Sequence, residues 1–216
     1  MKQISTKHHN TNCKTIKNMK PFYYIYAIIA IFSVNANANT ENKAEEPFGI
    51  PLKTSEEELK SRFSSIIDYE EKETGTIYFK QFPKPYMDFN LHFTVQSESY
   101  GVCLVANIMD GMNHVQSGRD AILFFNKISN DITSKYQKSS RKESTINMND
   151  NIFSLQSESK LIRSEWKPNS TTIDKIIFSV KFDSKMKRSG LASILFVGKN
   201  YTKCKNEINK KRISAL

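Results

Sequence analysis

One tryptophan, three cysteines and four histidines among 216 residues leave little material for metal or nucleophile chemistry. No GxSxG, GxGxxG, Walker loop or calcium loop occurs, so the spacings that mark a nucleophile elbow, a dinucleotide fold or a phosphate cradle are missing. CxxC, HExxH and HxH spacings are also absent, which leaves zinc without a ligand framework. Two SxxK matches, Ser157 to Lys160 and Ser184 to Lys187, are what chance yields in a chain rich in both residues. Ser184 also falls in a loop with no helix to aim its lysine. The acidic run Glu56-Glu57-Glu58 sits in the first turn of an expected helix, where negative charge favours the dipole. From these absences we expect no catalytic residue, no metal and no cofactor.

Only one long apolar run exists, and it is too short to span a bilayer. Met19 to Ala38, "MKPFYYIYAIIAIFSVNANA", reads as a secretory signal. Lys20 supplies the positive n-region, Phe22 to Val34 the apolar h-region, and Ala36-Asn37-Ala38 a small-x-small cleavage site. That h-region rises about 20 Å as a helix against a hydrocarbon core of about 30 Å. The polar residues before Met19 would make an unusually long n-region, so Met19 is an alternative start. No cysteine follows the cleavage site, as a lipoprotein would require. Residues 1–38 are therefore expected to be a signal peptide, and 39–216 one α+β domain, with any subdivision near 110–117. No transmembrane segment is expected after cleavage, and the location is periplasmic or secreted.

Removing the five lysines of residues 1–38 lowers the net charge from +10 to +5. That mild basic excess is spread along the chain and lacks the aromatic-interleaved footprint of a nucleic-acid binder. We expect no nucleic-acid partner.

Cleavage leaves two cysteines, Cys103 and Cys204, in an oxidising compartment, where an even count favours pairing. A bridge would close a loop of about 100 residues, for which chain entropy suggests about 4–5 kcal/mol of stabilisation, less strain. The alternative is two free buried thiols, since a lone cysteine in a strand often behaves as a small hydrophobe. A catalytic Cys–His pair has only His92 and His114 to draw on, and neither has a nucleophile context.

Along the chain, Thr54 with Glu57 reads as a capping box opening a helix over about 55–67. "TIYFKQF" follows as a strand. Phe89, Leu91, Phe93 and Val95 alternate with polar residues, as do Val102, Leu104, Ala106 and Ile108 after a short turn. A hairpin pairing Val95 with Val102 and Phe93 with Leu104 sets every apolar residue against another. It puts Cys103 beside Thr94 and His92 beside Val105. Ser117 and Asp120 open a second helix carrying the stripe Ala121, Phe125, Ile128, Ile132 and Tyr136. "KSSRKEST" reads as a solvated loop, and strands are expected at 151–156, 160–167, 173–182 and 190–198. "YTKCKNEINKKRISAL" closes the chain as a helix with Tyr201, Cys204 and Ile208 on one face. The fold class is α+β: antiparallel sheet with two main helices and a short C-terminal one, arranged as helix then strands, twice.

A candidate binding face follows from the polar side of the hairpin: Asn90, His92 and Thr94, with Trp166 as a further partner anchor. The bland alternatives are a solvated surface histidine and a tryptophan packed at a strand end.

The runs "PFGIPLKTSEEELKSRF" and "GVCLVANI", a helix ending "SKYQK", an "EW" strand and the closing "YTKCKNEINKKRISAL" resemble small exported proteins of Gram-negative bacteria that lack an assigned activity. The resemblance covers most of the mature chain, implies an envelope location and an α+β fold, and transfers no site. The layout is similar also to secreted inhibitor proteins built from tandem helix–sheet units, in architecture only. The leading expectation is a non-enzymatic binding protein, an inhibitor or immunity-type factor for a protein partner, with aromatic or Tyr-rich contacts on an exposed sheet face or loop. The alternatives are an envelope hydrolase whose site is invisible in sequence, and a cell-envelope assembly factor with an apolar groove.

Overall fold

Side-chain caps set where the helices of this chain begin. The computed structural model describes residues 46–183 and 190–214, all within one compact unit, Thr40–Leu216. The signal segment 1–38 and the Ser184–Lys187 match lie outside the described residues. After a 3-10 turn at Pro47–Gly49, helix α1 spans Glu56–Phe63, and its cap is Ser55, which accepts from Glu58 N at 3.2 Å. Thr54, expected in that role, is buried instead. Helix α2, Gly118–Tyr136, starts at Ser117, whose hydroxyl accepts from Asp120 N and donates to Asp120 Oδ2. Each cap satisfies an N–H that the helix itself leaves orphaned. Gly118 is required there, because a Cβ would stand 1.8 Å from the Asn147 carbonyl oxygen.

Eight strands form one fully antiparallel sheet: β1 Ile67–Glu71, β2 Thr76–Phe79, β3 Leu91–Ser97, β4 Gly101–Asp110, β5 Arg141–Ser144, β6 Leu161–Trp166, β7 Ile173–Lys181 and β8 Leu191–Gly198. Their spatial order is β1-β2-β3-β4-β8-β7-β6-β5. Two four-strand meanders, each preceded by a helix, thus meet where β4 pairs with β8. The α+β class and the helix-then-strands order are as expected from the sequence.

Four local expectations are corrected. Helix α1 ends four residues early, and β1 follows. Residues expected as a strand at 151–156 form helix α3, Ile152–Ser157, because Asn151 accepts from Ser154 N and caps it. The solvated loop around Arg141 is the edge strand β5, held by its register with β6. Its charged residues escaped notice because an edge strand needs one partner and no buried face. The hairpin register is displaced by two: Val95 pairs with Leu104, Phe93 with Ala106 and Leu91 with Ile108.

Half of that displacement comes from the turn, where Ser97 pairs with Gly101, and half from a bulge. Beyond Val95 the register shifts, so Gln96 pairs with Val102 and Cys103 is the extra residue. Inserting one residue reverses the parity of β4: Val102 and Val105 both enter the main core, whereas Leu104 and Ala106 face the opposite side. Cys103 is therefore not beside Thr94, which pairs with Val105, and His92 pairs with Asn107.

The main core lies under one sheet face, where Leu59 of α1, Phe125 and Ile128 of α2 and Leu155 of α3 join Ile77, Trp166 and Phe178. The other face carries a smaller cluster, Leu104, Ala106 and Val197, against which Tyr201 packs. Tyr201 opens helix α4, Tyr201–Ser214. Its Cys204 is fully buried. Cys103 and Cys204 stand at disulfide distance, Sγ–Sγ 2.35 Å, across a sequence separation of 101.

Candidate functional site

Of the four residues expected to share a binding face, only Asn90 is exposed. Its side chain is occupied in pinning the β3–β4 end, donating to Asp110 O and accepting from Asp110 N. His92 and Thr94 point into the main core side and are buried. Trp166 is fully buried and its indole N–H donates to Thr133 Oγ1 at 3.1 Å. His92 is thus neither a solvated histidine nor part of an open face. Its Nδ1 lies 2.5 Å from Asn107 Oδ1, and its ring packs on Phe82. The carbonyl accepts, so Nδ1 carries the proton of a neutral imidazole. Burial pushes the His92 pKa down, and the Asn107 bond opposes this without reversing it. His114 is exposed, with its ring against Phe124.

Two other surfaces carry the features of a site. The first is the sheet face turned away from the main core. Direct pairings run one row across all eight strands: Tyr69–Tyr78–Phe93–Ala106–Leu195–Ile177–Glu165–Arg141. Tyr69 stacks on Tyr78 with centroids 4.1 Å apart, and Tyr78 meets Phe93 at 5.6 Å. Tyr69 is 53 % exposed and Leu91, on the neighbouring row with Ile108, 38 %. Helix α4 contacts β3 and β4. Beyond it, the row changes from aromatic to aliphatic to charged, as Arg163 and Glu165 ion-pair on β6. An apolar centre with a charged flank is the composition of a protein-contact surface.

The second is a groove of about 900 Å³ at the hairpin end of the sheet, bounded by the start of α1, the β1–β2 turn, the β3–β4 turn and α4. Six glutamates line it, Glu56, Glu57, Glu70, Glu73, Glu98 and Glu207, against Lys72, Lys211 and Arg212. Lys60 bridges Glu56 and Glu70 at 2.5 and 2.7 Å. Hydrogen bonds to these two carboxylates raise the Lys60 pKa, and its donation holds Glu56 below the usual carboxylate value. Lys211 pairs with Glu98 and stands 3.8 Å from Glu207. Glu207 Oε1 accepts from Ser99 N at 3.4 Å. Burial raises the Glu207 pKa, but the donors Ser99 and Ser97 outweigh it and leave the carboxyl below its ordinary value. The Ser97 hydroxyl faces that carboxylate without reaching hydrogen-bond geometry.

Neither surface was visible in sequence. The aromatic row needs the strand register, and the groove gathers residues more than 150 positions apart. Among the described residues no helix is long and apolar enough to cross a membrane. No family model, curated protein or solved structure matches the chain.

Proposed function

We propose that this chain is an exported, non-catalytic binding protein that engages a protein partner in the envelope through the open face of its sheet, as an inhibitor or immunity-type factor. The observation that supports this reading is the aromatic end of the row, Tyr69–Tyr78–Phe93 with the exposed Leu91 beside it, on the face that α1, α2 and α3 leave uncovered and that α4 and Tyr201 cover only over Leu104, Ala106 and Val197. Tyrosines supply large contact area at low entropic cost, so a stacked pair at the exposed end is suited to anchor an interface. The charged flank on β6, with its paired Arg163 and Glu165, forms the polar rim and selects a partner of matching apolar centre and mixed-charge edge. Export supports the envelope setting: the apolar segment Phe22–Val34 with Ala36-Asn37-Ala38 routes the chain there.

The test is site-specific photocrosslinking in producing cells, with benzoylphenylalanine at Tyr69, at Leu91, and at the remote, 74 % exposed Phe153. The expected outcome is one discrete adduct shared by positions 69 and 91. It should be absent at 153 and competed by unlabelled protein but not by its Tyr78→Lys, Phe93→Lys variant. Equal or absent adducts at all three positions would overturn the reading.

A further inference from the structure

We propose that the glutamate-lined groove between α1, the two hairpin turns and α4 is a binding site for an organic cation, an ammonium or guanidinium group. One buried acceptor in its wall, Gln96 Oε1, has no hydrogen-bond partner among the described residues, and beside it the Ser97 hydroxyl and Glu207 Oε2 face each other without hydrogen-bond geometry. Gln96 is 3 % and Ser97 9 % exposed. An orphaned buried acceptor is costly, and Gln96 Oε1 beside an unsaturated carboxylate calls for a ligand that donates. The adjacent charges have the matching sign. Lys60 sits between Glu56 and Glu70, and Lys211 pairs with Glu98. With Lys72 and Arg212, the four cations still fall short of the six glutamates, and Glu57 and Glu73 form no ion pair among the described residues. A donor-rich cation satisfies the neutral acceptor and the surplus carboxylates together, and an anion satisfies neither.

The groove's size and layout favour an extended cation over a bare metal ion. A volume of about 900 Å³ fits an alkyl chain or an arginine side chain with its flanking peptide. The carboxylates are spread along the wall, and no three His, Cys, Asp or Glu side chains converge as a metal-ligand set among the described residues. Position is held by the staple: Glu207 lies three residues after Cys204, on the helix that Cys103 pins to the bulge of β4. This site is separate from the aromatic face, so the two proposals stand or fall independently.

Titration calorimetry on the oxidised protein, with spermidine and with a blocked tripeptide carrying one arginine, tests it. Saturable binding of at least one probe is expected. Glu207→Gln should weaken it about tenfold, the scale of one charge-assisted hydrogen bond. Glu73→Gln, at the exposed rim, should weaken it less and cannot be blamed on misfolding. Tyr69→Ser, on the aromatic face, should leave it intact. Binding of both probes assigns a free cation, and binding of the peptide alone assigns the side chain of a protein. No saturable binding, affinity unchanged in both glutamate variants, or saturation by Ca²⁺ but by neither organic probe would overturn the proposal.

Discussion

His92 illustrates how one residue couples buried polarity to solution conditions. Its imidazole is neutral in the fold, with a pKa lowered by burial and only partly restored by Asn107. In the unfolded chain the same group titrates near the ordinary histidine value of about 6.5. As pH falls through that value the unfolded state takes up a proton that the native state refuses, so stability is lost on the acid side and regained as pH rises. Urea midpoints measured from pH 7.5 downward should show this loss, and His92→Gln should flatten it. An unchanged slope in the variant would place the acid sensitivity elsewhere. Trp166 makes a second residue-scale case, filling the core between β6 and α2 while its N–H satisfies Thr133. Trp166→Ala should cost about 3–5 kcal/mol, and Trp166→Phe clearly less, because the ring volume is largely kept. Chemical denaturation followed by circular dichroism checks both.

At the scale of elements, α4 depends most on a single bond. Its buried contacts are Cys204 and the packing of Tyr201 on the smaller cluster, and its remaining ties to the hairpin turn are Lys211 to Glu98 and Ser99 to Glu207. Cys204→Ser should therefore lower stability by about 2–5 kcal/mol. It should also free α4 selectively, with amide protection lost over residues 201–214 before β4 or β8. Uniform loss across the sheet would contradict that hierarchy. The elements also show what periodicity can and cannot convey. Alternation in residues 89–96 and 102–108 announced two strands correctly, but alternation does not say which parity faces which layer. His92, Thr94 and Gln96 turned out to face the core, and Phe93 and Val95 the half-open side. The bulge at Cys103 depends on a one-residue mismatch between strands that neither strand reveals alone. β1 and β5 read as non-strand because "IDYEE" and "RKES" sit at the two sheet edges, where burial does not select apolar residues.

Across the whole molecule, two helix-led meanders share one sheet through seven β4–β8 pairs and one main core. That sharing makes separate melting of the halves costly, since either half alone would expose the long edge of its inner strand. Fluorescence of Trp166, which sits in the second half, should therefore report the same urea transition as far-ultraviolet circular dichroism of both halves. Two separated transitions would show that the seam is weak. The same architecture explains the candidate sites: with helices α1 to α3 on a single face, the aromatic end of the row at Tyr69 and Tyr78 stays accessible beyond the part α4 covers, and α4, at disulfide distance from the bulge, walls the acidic groove. Both surfaces presuppose an exported chain with an oxidised Cys103–Cys204 pair. Intact mass of the protein recovered from producing cells, alkylated under denaturing conditions without reductant, tests this most directly. The account predicts a chain beginning after Ala38 with no alkyl adduct, gaining two only after reduction. A chain that retains residues 1–38, or takes up two adducts before reduction, would contradict it.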